Sequence, residues 1–297
     1  LGKCCALFGY SRQSYYKHVE ENGFAEQALN ELIVQSVRTY RQQMPRIGSR
    51  KLYILVKREF GSQQGFPGRD KFLDLLSDQG LLLRIKRRKH YKTTDSNHPF
   101  KRYPNLIRDK VFRAPNQAWA SDITYVETAD GVCYLSLITD LYSRKIVGWA
   151  LGETLQTVHC QRALEMALET LRYPEDSKGL IHHSDRGCQY CSYSYVDRLK
   201  SRGIQISMTE SGDPLENAVA ERVNGIIKSE WLYGVEIKDY ADCYERVSQA
   251  IETYNNLRPH MSLDYQTPTE VHDFGAVPVR HWKTYSERKQ ANQEQTL

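Results

Sequence analysis

The first third of the chain repeats apolar positions with the period of a helix. Residues 26–41, 50–60 and 69–78 each place large apolar side chains three and four positions apart. The second run stops at Gly61 and the third at Gly80, and glycine is a common helix terminator. Two short helices joined by a glycine-containing turn are typical of a helix-turn-helix, so we predict a helical front region of that kind.

After about residue 111 the pattern changes from helices to strands. Runs 118–126, 133–140 and 146–152 are rich in strand-forming residues and are separated by turn signals. Helix and strand patterns then alternate, over 156–171 (helix), 180–183 (strand), 192–202 (helix), 204–208 (strand) and 214–231 (helix). The order βββαβαβα predicts an α/β fold, a mixed five-stranded sheet with helices on both faces.

Charge divides the chain in the same place. Residues 1–110 hold 22 Lys and Arg against 10 Asp and Glu, whereas the remainder holds 19 against 26. A basic front half predicts a region that binds a polyanion, with a lopsided solvated surface as the alternative. The sequence contains no apolar run near the roughly 20 residues of a membrane span, so no membrane partner is expected. Seven irregularly spaced cysteines without a signal peptide favour a reducing, cytoplasmic compartment.

The densest basic run follows the predicted helix pair directly. It contains Lys86, Arg87, Arg88 and Lys89, and its position beside two short helices favours contacts with DNA phosphates over a merely solvated face. We therefore divide the chain into a helical DNA-binding region, a linker, a strand-rich core and a polar C-terminal tail, with limits 1–92, 93–110, 111–275 and 276–297.

Three carboxylates stand out in the strand-rich core. Asp122 lies inside the first strand, where a charge is costly to bury unless it is paired or bound to a metal. Asp185 follows the fourth strand, at the end where sites on open sheets gather. Glu221 lies on the last predicted helix, and Asn217 and Lys228 fall within about 40° of the same line along it. We expect this helix to present the three polar residues together, opposite its apolar stripe.

Such a set of carboxylates suits metal-assisted phosphoryl transfer. Oxygen donors are the ligands that Mg²⁺ prefers, and two such ions about 3.5–4 Å apart can activate an attacking oxygen and stabilise a leaving one. No Ser or Cys nucleophile is then required. Lys228 would meet a phosphate as a point charge. His183 is a further candidate for a phosphate contact, with a strand-end histidine satisfied by the backbone as the alternative.

Other candidate ligands carry less weight. Asp140 ends the second strand and could be a fourth metal ligand, but a strand-end acid with a local partner is the favoured interpretation. Cys188 and Cys191 form a lone pair without a second pair or suitably spaced histidines, so no zinc site is predicted.

These motifs resemble the integrase core of insertion-sequence transposases of the second-reading-frame (OrfB) type, which are related to retroviral integrases. The resemblance is carried by WASDITYV around Asp122, HSDRGCQY around Asp185, ENAVAER around Glu221 and YNNLRPHMSLDYQTP at 254–268. Between Asp185 and Glu221 lie 35 residues, the spacing of this family, and the basic Lys228 follows seven positions after Glu221. Similarity continues into the front half, through GSRKLYILVKREF and GRDKFLDLLSDQGL.

The resemblance implies an RNase H-like fold in which Asp122, Asp185 and Glu221 form a DDE triad that holds two Mg²⁺ ions, or Mn²⁺ in their place. It implies cleavage at the ends of a mobile element and attack of the liberated 3′-OH on target DNA. The implied partners are double-stranded DNA, as terminal inverted repeats and as target, and further copies of the chain assembled on it. Glu216 and Cys188 stand where the family often has Asp and Ser.

Full-length members of the family commonly carry an upstream helix-turn-helix, most of which this chain lacks, so we do not expect it to recognise element ends by itself. Two alternatives stay open. One is an RNase H-like nuclease that hydrolyses without strand transfer, and the other is a DNA-binding regulator without catalysis.

Overall fold

The computed structural model describes residues 11–83, 99–210 and 214–279, and the single positions 7 and 9. Contacts within the chain group into two units, Leu1–Arg87 and Arg88–Leu297. No helix in the described part of the chain is long and apolar enough to cross a membrane. The predicted basic run, residues 93–98 of the linker and most of the tail lie outside the described residues, so the predicted limits of these regions stay predictions.

The first unit consists of helices, as predicted: α1 (Arg12–Gln43), α2 (Ser49–Phe60) and α3 (Arg69–Asp78). Helix α1 begins well before the predicted 26–41 because Ser11 caps it, its side chain accepting a hydrogen bond from the Ser14 amide at 2.9 Å. The Tyr53 ring of α2 packs against Phe72 of α3, with ring centroids 5.4 Å apart. Helices α2 and α3 thus share a small aromatic core, as a helix-turn-helix-like pair requires.

The second unit is built on the predicted mixed sheet. Its strand order is β3-β2-β1-β4-β5, with β1–β2 and β2–β3 antiparallel and with β4 and β5 running parallel to β1. The strands are β1 (Ala118–Thr128), β2 (Gly131–Asp140), β3 (Ile146–Gly152), β4 (Ile181–Ser184) and β5 (Gln205–Met208). The RNase H-like α/β class predicted from the sequence is confirmed.

The predicted helices follow the strands in the expected order, although one is divided and three further helices were not predicted. The helices that the structure describes here are α4 (Thr157–Glu169), α5 (Cys188–Cys191), α6 (Tyr193–Ser201), α7 (Ala218–Ile227), α8 (Tyr240–Asn256) and α9 (Pro268–His272). The helix predicted over 214–231 is divided, since a 3₁₀ turn, Pro214–Asn217, precedes α7 and a π-helical segment, Lys228–Leu232, follows it. The helices that were not predicted are α5, α8 and α9.

Side chains of β1 alternate between two cores, one on each face of the sheet. Trp119 is fully buried in the core formed with α4 and α6, whereas Ala118 and Ala120 pack in a second core with Ala220 of α7. Because successive side chains of a strand point to opposite faces, Asp122 lies on the α7 side with Ala118 and Ala120. The packing of β1 therefore determines which helix meets the first candidate carboxylate.

Candidate active site

Two of the predicted carboxylates lie side by side where the pairing of β1 with β4 ends, Asp122 within β1 and Asp185 directly after β4. Ser121 of β1 pairs with Ser184, the last residue of β4, and Asp122 and Asp185 each come one position later. Both are half-buried. Burial raises the pKa of Asp122 to about 7, and the negative charge of Asp185 adds to this rise, with a smaller contribution from Glu221. The structure thus places the three acids within electrostatic reach of one another.

Helix α7 and the lysine that follows it contact β1 in a regular register. Asn224 donates from Nδ2 to Oδ2 of Asp122 at 2.8 Å, and Lys228 donates from Nζ to Oγ1 of Thr124 at 3.1 Å. Four helical residues rise about 6 Å and two strand residues about 6.6 Å, so positions four apart on α7 meet positions two apart on β1. Glu221 lies in the first turn of α7, before Asn224, and its side chain is exposed.

The loop after Asp185 is shaped around that carboxylate. The Gly187 amide donates to Oδ1 of Asp185 at 3.0 Å, and a Cβ atom on Gly187 would lie 3.0 Å from the same oxygen. Any side chain at position 187 would therefore press on Asp185. A cavity of about 210 Å³ adjoins this loop, with Tyr125, Tyr134 and Leu155 in its lining. Asp185 thus borders open space large enough for part of a substrate.

The donor set fits a hard divalent cation. Asp122, Asp185 and Glu221 offer only carboxylate oxygens, and their mutual repulsion is the kind that a cation relieves. Among the described residues, no three His, Cys, Asp or Glu side chains lie close enough to form a complete metal site. Metal ligation by all three acids therefore stays a prediction.

Lys228 and Asn217 do not share an exposed face with Glu221. Lys228 is 8% exposed, and its Nζ lies 4.0 Å from the centre of the Tyr125 ring. Asn217 is buried and donates from Nδ2 to the Ser121 carbonyl at 3.1 Å. The expectation of a common polar face was wrong because α7 packs this line of residues directly against β1. The phosphate contacts predicted for both residues are not available in this arrangement.

His183 is likewise turned into the protein. Its Nε2 lies 3.0 Å from the Glu216 carbonyl, which can only accept, so Nε2 carries the proton and Nδ1 accepts from the Ser207 hydroxyl at 2.8 Å. Burial lowers the pKa of His183 to about 4, which keeps the ring neutral. The structure corrects the predicted phosphate contact, since both nitrogens are engaged and the ring instead anchors the turn before α7.

Asp140 has a structural role of the kind favoured above. It is fully buried, and its Oδ1 accepts from the amide and hydroxyl of Ser143 at 2.7 and 2.8 Å while Oδ2 accepts from the Asn116 amide at 2.8 Å. These bonds close the turn between β2 and β3.

Cys188 and Cys191 are both free thiols. Lys86, Arg87, Arg88 and Lys89 lie outside the described residues, and their DNA contacts stay predictions.

Asn224 and Gly187 are the residues of this site that sequence analysis missed. Asn224 lies seven positions after Asn217, about 20° from it on a helical wheel, so it belongs to the same polar line. That line was visible in the sequence, but only the pairing of α7 with β1 shows that Asn224 is its member in contact with Asp122.

Comparison with known proteins gives one consistent assignment. Two integrase core domain models match, over residues 113–214 and 202–268. The chain is 34% identical to the insertion element IS600 uncharacterized 31 kDa protein of Shigella sonnei, over 89% of this chain and 95% of that protein. It is 30% identical to the transposase for insertion sequence element IS904 of Lactococcus lactis, over 74% and 93%. A putative transposase for IS986/IS6110 of Mycobacterium tuberculosis is also 30% identical, over 87% and 93%.

Solved structures with a partial likeness include the HTLV-2 integrase catalytic core domain in complex with magnesium. It is 19% identical and covers 54% of this chain and 97% of its own, with a TM-score of 0.41. A simian T-cell lymphotropic virus intasome in complex with PP2A regulatory subunit B56 gamma is 17% identical and covers 80% and 75%, with a TM-score of 0.47.

Fold, site and family models together define an integrase-core protein. Since its relatives at 30% identity or more include insertion-sequence transposases matched over most of their length, the chain belongs to the insertion-sequence transposases.

Proposed function

We propose that this protein is a DNA transposase that cuts DNA at the ends of its element and joins the liberated 3′-OH ends to a target. The observation that carries the proposal is the placement of Asp122 and Asp185 side by side, each one position after the last residue pair of β1 and β4, with the charge of Glu221 on α7 acting on Asp122. Membership of the transposase family supports the same chemistry.

Asp122, Asp185 and Glu221 are the residues that would hold the divalent cation, and magnesium, present with the HTLV-2 integrase core, is the ion we propose, with Mn²⁺ as a substitute and two ions per site. The bound metal would activate the attacking oxygen and stabilise the leaving oxygen. Asn224 and Gly187 hold two of the carboxylates by hydrogen bonds. The helix N-terminus beneath Glu221 favours negative charge at this position.

The two reaction steps use one kind of displacement at phosphorus. In cleavage, a water oxygen bonds to the phosphorus at the element end, and the P–O3′ bond breaks to leave a 3′-OH on the element and a 5′-phosphate on the flank. In joining, that 3′-OH bonds to a target phosphorus and displaces the target's own 3′ oxygen. Each step exchanges one P–O bond for another, so no protein nucleophile is consumed and no oxidant is needed.

DNA binding is assigned to the basic front region. Lys86, Arg87, Arg88 and Lys89 supply phosphate contacts, and the helix pair α2 and α3 exposes further basic side chains such as Lys57 and Lys71. An element has two ends that must be cut and joined together, so we propose that copies of this chain assemble on DNA. Its site of action would be the bacterial cytoplasm, where that DNA is found.

The test is a strand-transfer assay with labelled element ends. Wild type in Mg²⁺ should join pre-cut ends with a free 3′-OH to a target duplex, whereas Asp122→Asn and Glu221→Gln should bind DNA but neither cleave nor join. Asp197→Asn and Glu169→Gln change exposed acids on α6 and α4 and serve as matched controls. Nicking by wild type without joining of pre-cut ends would instead favour the hydrolytic nuclease. DNA binding with neither reaction would favour the regulator.

A further inference from the structure

Asn224 combines two features that a purely structural amide does not need. Its Nδ2 lies 2.8 Å from Oδ2 of Asp122, and only 5% of the residue is exposed. Its other polar atom, Oδ1, is also buried and has no hydrogen-bond partner within the described part of the chain. Since buried polar groups are almost always paired, an unsatisfied carbonyl beside a carboxylate cluster calls for a functional explanation.

The orientation of the amide follows from its neighbour. Asp122 binds a cation in its ionised form, which only accepts hydrogen bonds, so in that form the NH₂ group of Asn224 must face Asp122 and Oδ1 must point elsewhere. Asn217 provides a comparison on the same side of β1. Its Oδ1 is likewise buried without a hydrogen-bond partner among the described residues, but its Nδ2 donates to the Ser121 backbone carbonyl and not to a carboxylate. Asn217 thus ties α7 to β1, whereas Asn224 acts on the orientation of a reactive group.

We propose that Asn224 is a positioning residue that orients Asp122 for the divalent cation. Its NH₂ group fixes the Asp122 carboxylate, and its unsatisfied Oδ1 accepts a hydrogen bond from a water molecule that accompanies the cation. Mg²⁺ usually keeps several waters in protein sites, and partners that orient a metal ligand change metal affinity by 10–100-fold. The inference rests on the proposed function, because it takes the cation site from it.

The position of Asn224 on α7 makes this role possible. Lys228 is fixed one turn later by Thr124 and by the Tyr125 ring, so the helix cannot slide along β1 without breaking that contact. Asn224 therefore meets Asp122 from a rigid element. A side chain held in this way can keep a carboxylate in one rotamer before the cation arrives, which reduces the entropy lost on binding.

The test measures Mn²⁺ binding to the full chain without DNA. The concentration of Mn²⁺ that gives half of the maximal rise in melting temperature should increase about tenfold or more in Asn224→Leu, which keeps the branched shape but removes both polar atoms. Asn224→Ser retains a donor and should recover part of that affinity. Asn217→Ala should melt at a lower temperature and keep the wild-type Mn²⁺ midpoint.

A second readout separates positioning from catalysis. Cleavage by Asn224→Leu should need a correspondingly higher Mn²⁺ concentration for half of the maximal rate and approach the wild-type rate at saturation. If Asn224→Leu does not fold, the Mn²⁺ midpoint of Asn224→Ser decides, and a value equal to wild type overturns the inference. Equal midpoints for wild type and Asn224→Leu also overturn it and leave the proposed function intact. No Mn²⁺ response in wild type would overturn the metal site and this inference together.

Discussion

Asp122 and Asp185 occupy equivalent positions on neighbouring parallel strands, each one residue beyond the Ser121–Ser184 pair. The register of β1 and β4 therefore brings the two residues together, Asp122 within β1 and Asp185 at the first position after β4. Burial, and after it the negative charge of Asp185, raise the pKa of Asp122 to about 7. The fold thus places mutually repelling carboxylates at the point where a cation would bind.

The pH dependence of the free energy of unfolding should show the raised pKa of Asp122 directly. In the unfolded chain Asp122 ionises near its ordinary pKa of 3.8, whereas the folded, metal-free protein keeps the proton up to about pH 7. The folded state binds more protons in this window, so the free energy of unfolding falls as pH rises from about 4 to 7. Asp122→Asn has no proton to lose, so wild type should lose stability relative to this variant across the window.

Denaturation curves at several pH values, with EDTA present, measure that difference. The difference between wild type and Asp122→Asn reports on Asp122, because His182 and His183 are present in both proteins. The lowered pKa values of these histidines make stability rise with pH, opposite to the effect of Asp122. Asp197→Asn should follow wild type. Adding Mn²⁺ at pH 7.5 should raise the melting temperature of wild type much more than that of Asp122→Asn. Parallel stability curves for these two proteins would contradict the electrostatic assignment.

Much of the catalytic unit could be predicted from sequence because its signals are local. Helix α3 and strand β3 have the predicted limits, since Gly80 ends the helix and strand-forming residues fill 146–152. The position of Asp185 followed from the rule that sites gather at the carboxyl ends of strands in open sheets, and Asp122 stood out as a charge inside a strand. Helix α8 was missed although apolar residues recur at helical spacing from Cys243 to Tyr254 after the capping Asp239.

What could not be predicted depends on contacts between elements. The inward turn of Lys228 requires Thr124 and Tyr125 on β1 as partners, and no periodicity within α7 contains that information. A lysine is usually exposed, so an expectation of exposure is reasonable until a hydroxyl and an aromatic ring are found to cover it. The same reasoning applies to Asn224, whose partner Asp122 is 102 residues away in the chain.

A side chain at position 187 should reduce catalytic activity without a comparable loss of stability. The φ of −64° at Gly187 suits any residue, so Gly187→Ala brings no backbone strain, but the new Cβ would press on Oδ1 of Asp185. We expect cleavage and joining to fall roughly 10–100-fold, because small displacements of reacting groups have large effects on rate. Thermal melting should show a shift of only a few degrees.

Gly225→Ala is the matched control for Gly187→Ala. Gly225 lies within α7, and a Cβ there meets nothing within 4 Å. Alanine in an exposed helical position should stabilise the protein by about 0.5–1 kcal/mol, a rise of roughly 1–4 °C in melting temperature. Equal activity of Gly187→Ala and wild type would show that Asp185 does not need its present position.

The salt dependence of DNA binding should distinguish Lys228 from the basic run. Lys228→Met keeps the side-chain stem but removes the bond to Thr124 and the charge over Tyr125, so it should cost about 1–2 kcal/mol of stability. The slope of log K against log salt should not change. Replacing Lys86, Arg87, Arg88 and Lys89 by Ala should reduce that slope by roughly 3–4 units. If Lys228→Met reduces this slope by about one unit, Lys228 contacts a phosphate, as the sequence first predicted.

A buried ion pair behind the site gives the last prediction. Arg258 is 2% exposed, and its Nε and Nη2 donate to the two carboxylate oxygens of Glu230, each at 2.7 Å. Glu230 belongs to the π-helical segment that follows α7, so this pair fixes the end of the helix that carries Glu221. Arg258→Met leaves a buried carboxylate without its counter-charge and should destabilise the protein by about 3–5 kcal/mol.

The double variant Glu230→Met with Arg258→Met should recover much of that loss, because removing both charges also removes the cost of burying them. Arg246→Met breaks an exposed pair with Asp242 on α8 and should cost less than about 1 kcal/mol. Denaturant unfolding of wild type, the single variants Glu230→Met and Arg258→Met and the double variant forms a double-mutant cycle, with Arg246→Met as an external control. If Arg258→Met and Arg246→Met are equally mild, the Glu230 contact does not hold α7 in place, and the rigidity inferred for the catalytic helix needs another source.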